Sequence, residues 1–146
     1  MIPRFGRAPR PGTVYRHRPG AYAVLIRDGK MLLTRQVTAD IDELQLPGGG
    51  IDPGESPLPA LIRELREETG YSAILTRKLG VFRDFTWMSD YGFHAAKLCH
   101  LYLGRPGLRR GHPSEACHSA VWMPWRAAIA GLASDGSRRL LMHRLG

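Results

Sequence analysis

The chain has 146 residues, 43% of them hydrophobic, with 21 Lys and Arg against 13 Asp and Glu and a formal net charge of +8. That length supports one domain with a real core but not two comfortable ones, and the apolar runs fall well short of the roughly 20 residues that cross a bilayer. Two cysteines, Cys99 and Cys117, make no disulfide framework and point to a reducing cytoplasm, while the basic balance calls for an anionic partner such as nucleic acid or a phosphorylated small molecule.

Residues 1–20 carry Arg4, Arg7, Arg10, Arg16 and Arg18 with four prolines and no acid. They read as a solvated, poorly ordered arm ending in a short strand, with a nucleic-acid contact as the alternative, and a single domain is expected over 21–146. The stretch AYAVLIRDGKMLLTRQV (21–37) has two β-favouring runs around Asp28-Gly29, a dipeptide that accepts positive φ, and so predicts a hairpin. TADIDELQLPGGG (38–50) leads through a loop and a short extended piece into a glycine turn. Ser56 is placed to cap a helix, Pro57 to fill its first turn and Gly70 to end it. Leu58, Ile62 and Leu65, flanked by Leu61, predict its apolar stripe.

Farther on, LGVFRDFTWM (79–88) and HAAKLCHLYLG (94–104) predict strands around a turn, followed by a Gly-, Pro- and Arg-rich loop over 104–114. SAVWMPW (119–125) reads as a strand, RAAIAGLAS (126–134) as a second helix, and the remainder as a basic tail. Phe82 is expected in the core, and Trp122 and Trp125 against the second helix. Strands, helix, strands, helix pack naturally as an α/β/α sandwich around a mixed β-sheet.

Five of the 13 acids, Asp52, Glu55, Glu64, Glu67 and Glu68, fall within GGGIDPGESPLPALIRELREETGY (48–71). Glutamates on a helix usually make a solvated face, but Glu64, Glu67 and Glu68 repel at i,i+3 and i,i+4 and oppose the dipole near the helix C-terminus. A divalent cation relieves both penalties, since Mg²⁺ takes carboxylate oxygens and substrate phosphates as its shell.

The spacing from Gly49 through Glu55, Arg63-Glu64, Leu65, Glu67-Glu68 and Gly70 to Tyr71 matches G-x5-E-x7-R-E-U-x-E-E-x-G-U, with U a bulky apolar residue. Seven fixed identities at about 1 in 15 each match by accident roughly once in 10⁸ windows. The segment resembles the Nudix box, with Tyr71 in place of the more usual aliphatic residue. The resemblance implies hydrolysis of a nucleoside diphosphate linked to another group by a Mg²⁺- or Mn²⁺-dependent cytoplasmic enzyme, with a homodimer common in the family. It implies metal ligation by Glu64, Glu67 and Glu68 with the Gly48 carbonyl, support from Gly49, Glu55 and Gly70, and an orienting role for Arg63. The general base in such enzymes is a box glutamate, here Glu67 or Glu64, or a carboxylate on a later loop, where Glu115 stands.

Substrate is less constrained. Phe85 and Trp87 are candidates for base stacking, and Arg35 lies in LLTRQ (32–36), upstream of the box. The expected substrate is a nucleoside triphosphate or a related nucleotide. The alternatives are the 5′ end of RNA, which the arginine-rich arm would contact, and a catalytically silent nucleotide- or nucleic-acid-binding domain.

Overall fold

The computed structural model describes residues 2–112 and 118–146. Its elements are β1 (Arg16–Arg27), β2 (Lys30–Val37), β3 (Asp42–Gln45), β4 (Gly48–Gly50), α1 (Pro57–Thr69), β5 (Tyr71–Met88), β6 (Phe93–Arg109), β7 (His118–Pro124), α2 (Trp125–Gly131) and α3 (Asp135–Leu145). The sheet is mixed, as expected: β1 runs parallel to β6 over Arg16 to Leu25, while β5 and β6 are antiparallel. The hairpin at Asp28-Gly29 forms with φ of 53° and 76°, the left-handed pair that a tight two-residue turn demands. It joins β1 to β2 only at Ile26↔Met31 and Arg27↔Lys30, after which β2 turns to pair with β3 and β7.

Alternation along β1 explains the layering. Ala21, Ala23 and Leu25 face one way, into a cluster with Ala60, Leu61 and Leu65 of α1. Val24 faces the other way, into a second cluster that holds Phe82, Leu101, Ile129, Leu140 and Leu141. Helix α1 thus covers one face and α2 and α3 the other, a sandwich forced by period-2 strands meeting period-3.6 helices. Among the described residues, no helix is long and apolar enough to cross a membrane.

Several expectations need correction. The stripe of α1 is Ala60, Leu61, Leu65, Glu68 and Thr69, and Leu58 is exposed; the face is rotated so that an acid, Glu68, points inward. The stretch Gly104–Arg109 is strand, not loop, because β5 starts directly after α1 and its first residues pair with it. A Cβ at Gly104 would lie 2.5 Å from the Ile74 carbonyl oxygen, so the glycine allows the ladder to close. The basic tail is helix α3, whose Ser134 side chain accepts from the Ser137 N–H; Gly136 permits that helix to lie on Phe82, 2.2 Å from where a Cβ would be. Trp122 packs on the α1 side, its indole N–H donating to Tyr71 Oη at 3.4 Å.

The arm is docked. Arg83 N–H donates to the Pro3 carbonyl, Gly6 N–H to that of Arg83, and Phe85 N–H to that of Arg7, satisfying groups on what would otherwise be an open edge of β5. Arg7 also clamps Asp84 through its backbone N–H at 2.7 Å and its guanidinium at 3.2 and 3.3 Å.

Candidate active site

The glycine turn is held as strand β4 against β1, with Gly20↔Gly50, Ala21↔Gly49 and Tyr22↔Gly48 in register. Gly48 has φ +144°, and a Cβ on it would sit 2.2 Å from the Ala21 carbonyl oxygen; only glycine fits so close to a neighbouring backbone. The turn over 51–56 then closes on itself, with Asp52 N–H donating to Glu55 Oε1 at 2.9 Å. Ser56 stands at the N-cap but makes no side-chain cap bond, Pro57 follows it, and Gly70 ends α1 at φ 77° with its N–H on the Arg66 carbonyl.

Arg63 is the hub. Its guanidinium donates to Glu55 at 3.0 and 3.3 Å, to Glu64 at 3.1 Å and to Glu67 at 3.5 Å. The Glu55 contact, more than the others, holds the Arg63 cation firmly protonated. In turn the Asp52 N–H and then Arg63 lower the Glu55 carboxyl below its ordinary value of 4.5. Glu64 lies flat on Gly49: a Cβ there would be 2.8 Å from Glu64 Cδ and 3.0 Å from both carboxylate oxygens. Glu68, three residues beyond Leu65, is buried and close enough to Tyr22 to raise its pKa, though burial of the phenol is the larger cause.

Arg63 gathers Glu55, Glu64 and Glu67 into one cluster, with Glu68 on the buried face of the same helix; carboxylate oxygens are the donors that a hard divalent cation takes. Among the described residues no three acidic, histidine or cysteine side chains stand close enough to hold an ion as they are; Glu64 and Glu67 are turned to Arg63, which supplies the counter-charge. Glu115 lies outside the described residues.

On the α2/α3 side of β1 opens a cavity of about 410 Å³, lined by Tyr22, Gln45, Asp84, Lys97, Cys99 and Ser134 among others. Lys97 Nζ lies 5.6 Å from the centre of the Tyr22 ring, and the phenol beside it holds the ammonium protonated against the cost of burial. Burial pushes the Cys99 thiol up to about 11. Tyr22, in register with Gly48 of the glycine turn, lines this cavity. Arg18 is close to the glycine turn as well, its guanidinium 2.7 Å from a would-be Cβ on Gly50. Sequence reasoning missed Tyr22, Lys97 and Arg18. Their one local signal is polarity at positions that a strand's alternation turns inward, and it becomes readable only once the β1–β6 register is known.

The other expected contacts lie elsewhere. Arg35 pairs with Asp42 at 2.5 and 2.7 Å, and Phe85 and Trp87 line a separate cleft beside the arm.

The family model for the NUDIX domain matches residues 16–143. The chain belongs to the NUDIX family. As a NUDIX protein it is 41% identical over 64 residues to a putative 8-oxo-dGTP diphosphatase of Bacillus subtilis, covering 44% of this chain and 42% of that one. It is 36% identical to an RNA pyrophosphohydrolase of Nitratiruptor sp., covering 62% and 59%. The chain spans about half the length of the curated relatives it matches. A NUDIX hydrolase from Nitrosomonas europaea shares the fold at TM-score 0.70 and 22% identity, over 87% of each chain. A MutT NUDIX hydrolase from Burkholderia pseudomallei shares it at TM-score 0.66 and 23% identity, over 90% and 99%.

Proposed function

We propose that the protein hydrolyses the pyrophosphate bond of a nucleoside diphosphate linked to a further group, with a nucleoside triphosphate or related mononucleotide as substrate and Mg²⁺ as cofactor, which Mn²⁺ can replace. The observation that carries this reading is the meeting of the Arg63 carboxylate cluster with the Gly49 backbone. A polyphosphate repels nucleophiles, and metal ions, when bound, neutralise it and lower the pKa of an attacking water.

In this reading Glu64, Glu67 and Glu68 are the ligands, with the Gly48 carbonyl beside them. Arg63 holds the carboxylates apart from one another and yields them to the metal, while Glu55 keeps Arg63 oriented. Arg18 and Lys97 bind phosphate oxygens or the base at either end of the site. The general base is a box glutamate or Glu115. The setting is cytoplasmic, which suits the free thiol of Cys99.

The test is turnover of nucleoside triphosphates with Mg²⁺ by wild type and by the Glu67→Gln, Glu68→Gln double variant. We expect loss of activity by a factor on the order of 10² or more, given what single electrostatic contacts are worth in such sites. Unchanged turnover in the double variant removes the metal-site assignment, and a well-folded wild type with no activity on any nucleotide leaves a binding domain instead. Release of monophosphate plus pyrophosphate, as against orthophosphate, identifies the bond cut.

A further inference from the structure

The docked arm builds a second cleft that the catalytic reading does not use. Its volume is about 400 Å³, and Arg7, Arg10, Tyr15, Phe85, Trp87 and His94 line it. The rings pack against one another edge to face: Tyr15 meets Phe85 at 5.0 Å and His94 at 5.6 Å, and Trp87 meets His94 at 4.8 Å. Trp87 nevertheless remains 53% exposed, an unusual state for the largest apolar side chain at the tip of a hairpin. Asp84 neutralises Arg7, whereas Arg10 is exposed: its backbone N–H donates to Tyr15 Oη and its carbonyl accepts from the Thr13 N–H, which leaves its guanidinium facing solvent.

Around the tip of the β5–β6 hairpin, further rings and arginines lie between this cleft's strands and the glycine turn. Arg18, beside Gly50, donates to Tyr91 Oη at 3.3 Å and lies 5.0 Å from that ring's centre. Tyr91 is next to Phe93, and Arg16 lies 4.7 Å from the Phe93 centroid. Rings alternating with arginines suit a chain that alternates flat bases with phosphates, because every base has a π-face and every linkage a charge. An acidic peptide would use the arginines but not the rings.

We propose that the arm and the hairpin tip bind single-stranded RNA, with nucleotides downstream of the first stacked in the cleft on Trp87 and their phosphates on Arg10 and Arg16, so that the 5′-phosphorylated end reaches the site at Gly49. RNA is the polynucleotide that carries a 5′-triphosphate, since its synthesis begins on a nucleoside triphosphate. The placing of that end rests on the proposed catalytic reading; the cleft itself does not.

The experiment measures anisotropy of a 3′-fluorescein-labelled, 5′-triphosphorylated octaribonucleotide with the full chain in EDTA, alongside nucleoside triphosphate turnover in Mg²⁺. Trp87→Ala is expected to weaken RNA binding roughly tenfold, the scale of one lost base stack. Arg10→Ala is expected to lower the slope of log Kd against log salt concentration by about 0.7, one phosphate contact on a single strand. Both residues are exposed, and a thermal melt confirms that the variants fold. Folded variants that bind RNA as the wild type does overturn the proposal, as does a polyglutamate peptide that competes equally per charge. Loss of RNA binding in the variants supports it even where the wild type turns over no nucleotide, a result that would sink the catalytic reading alone.

Discussion

Two adjacent glycines do different work at the glycine turn, and substitution separates them. Alanine at Gly49 would press on the flexible end of Glu64, so Gly49→Ala should fold with stability within about 1 kcal/mol of wild type. The carboxylate, however, would be displaced by something near an ångström, and activity should fall on the order of 10²-fold. Alanine at Gly48 would instead meet the Ala21 backbone at positive φ, which cannot give way. Gly48→Ala should cost roughly 2–4 kcal/mol of folding free energy. Chemical denaturation and kcat/KM on the two variants check the contrast; equal stability losses would refute it. Lys97 belongs to the same scale. If its ammonium binds an anionic or carbonyl oxygen in the Tyr22 cavity, Lys97→Met should raise KM by roughly 10- to 100-fold, the worth of one charge-assisted bond, with a smaller change in kcat. A fall in kcat at constant KM would place Lys97 in the chemical step instead.

At the scale of elements, the turn over 51–56 and helix α1 are joined by Arg63 and Glu55, and the joint is pH-dependent. The folded-state pKa of Glu55 is depressed, so its contribution is present above the ordinary value of 4.5 and is lost as pH falls through the depressed folded value. The Tm advantage of wild type over Glu55→Gln should therefore be constant from pH 7 to about 5 and shrink below that. A difference that does not change down to pH 3 would show that Glu55 acts through packing alone. The rest of α1 shows why an acidic helix is tolerated here. Its buried face carries Leu61 and Leu65, and its half-buried Glu64 and Glu67 are held by Arg63.

For the whole molecule, metal binding is expected to stabilise the fold because the ligands come from a helix that packs on the sheet carrying the glycine turn. Mg²⁺ at 100 times its Kd should add about 2.7 kcal/mol, read as a rise in Tm that is absent in the Glu67→Gln, Glu68→Gln double variant. This readout needs no substrate, so it separates metal binding from catalysis. An equal rise in both proteins would place the ion elsewhere.

What the chain declared by itself was local and periodic. The Asp28-Gly29 turn, the helix from Pro57 to its Gly70 stop, the alternating strands and the spacing of Glu55, Arg63, Glu64, Glu67 and Glu68 depend on neighbours within about 20 residues, and each was readable. The sandwich followed from the order of elements, since each amphipathic face must be covered. What only the tertiary structure decided depends on long-range register. Strand character at Gly104–Arg109 comes from pairing with Tyr71 to Leu75. Helix α3 follows from Ser134 capping and from Gly136 lying on Phe82, against a poor intrinsic propensity for Gly and Ser. The arm is ordered because β5 needs an edge partner and Asp84 a cation. The cavity is of the same kind: Tyr22, Gln45, Asp84 and Lys97 come from four strands, and no spacing along the chain relates them. A helix that gathers carboxylates can be written in one short stretch because residues three and four apart are already neighbours, whereas a pocket is assembled from residues that meet only after the sheet has closed.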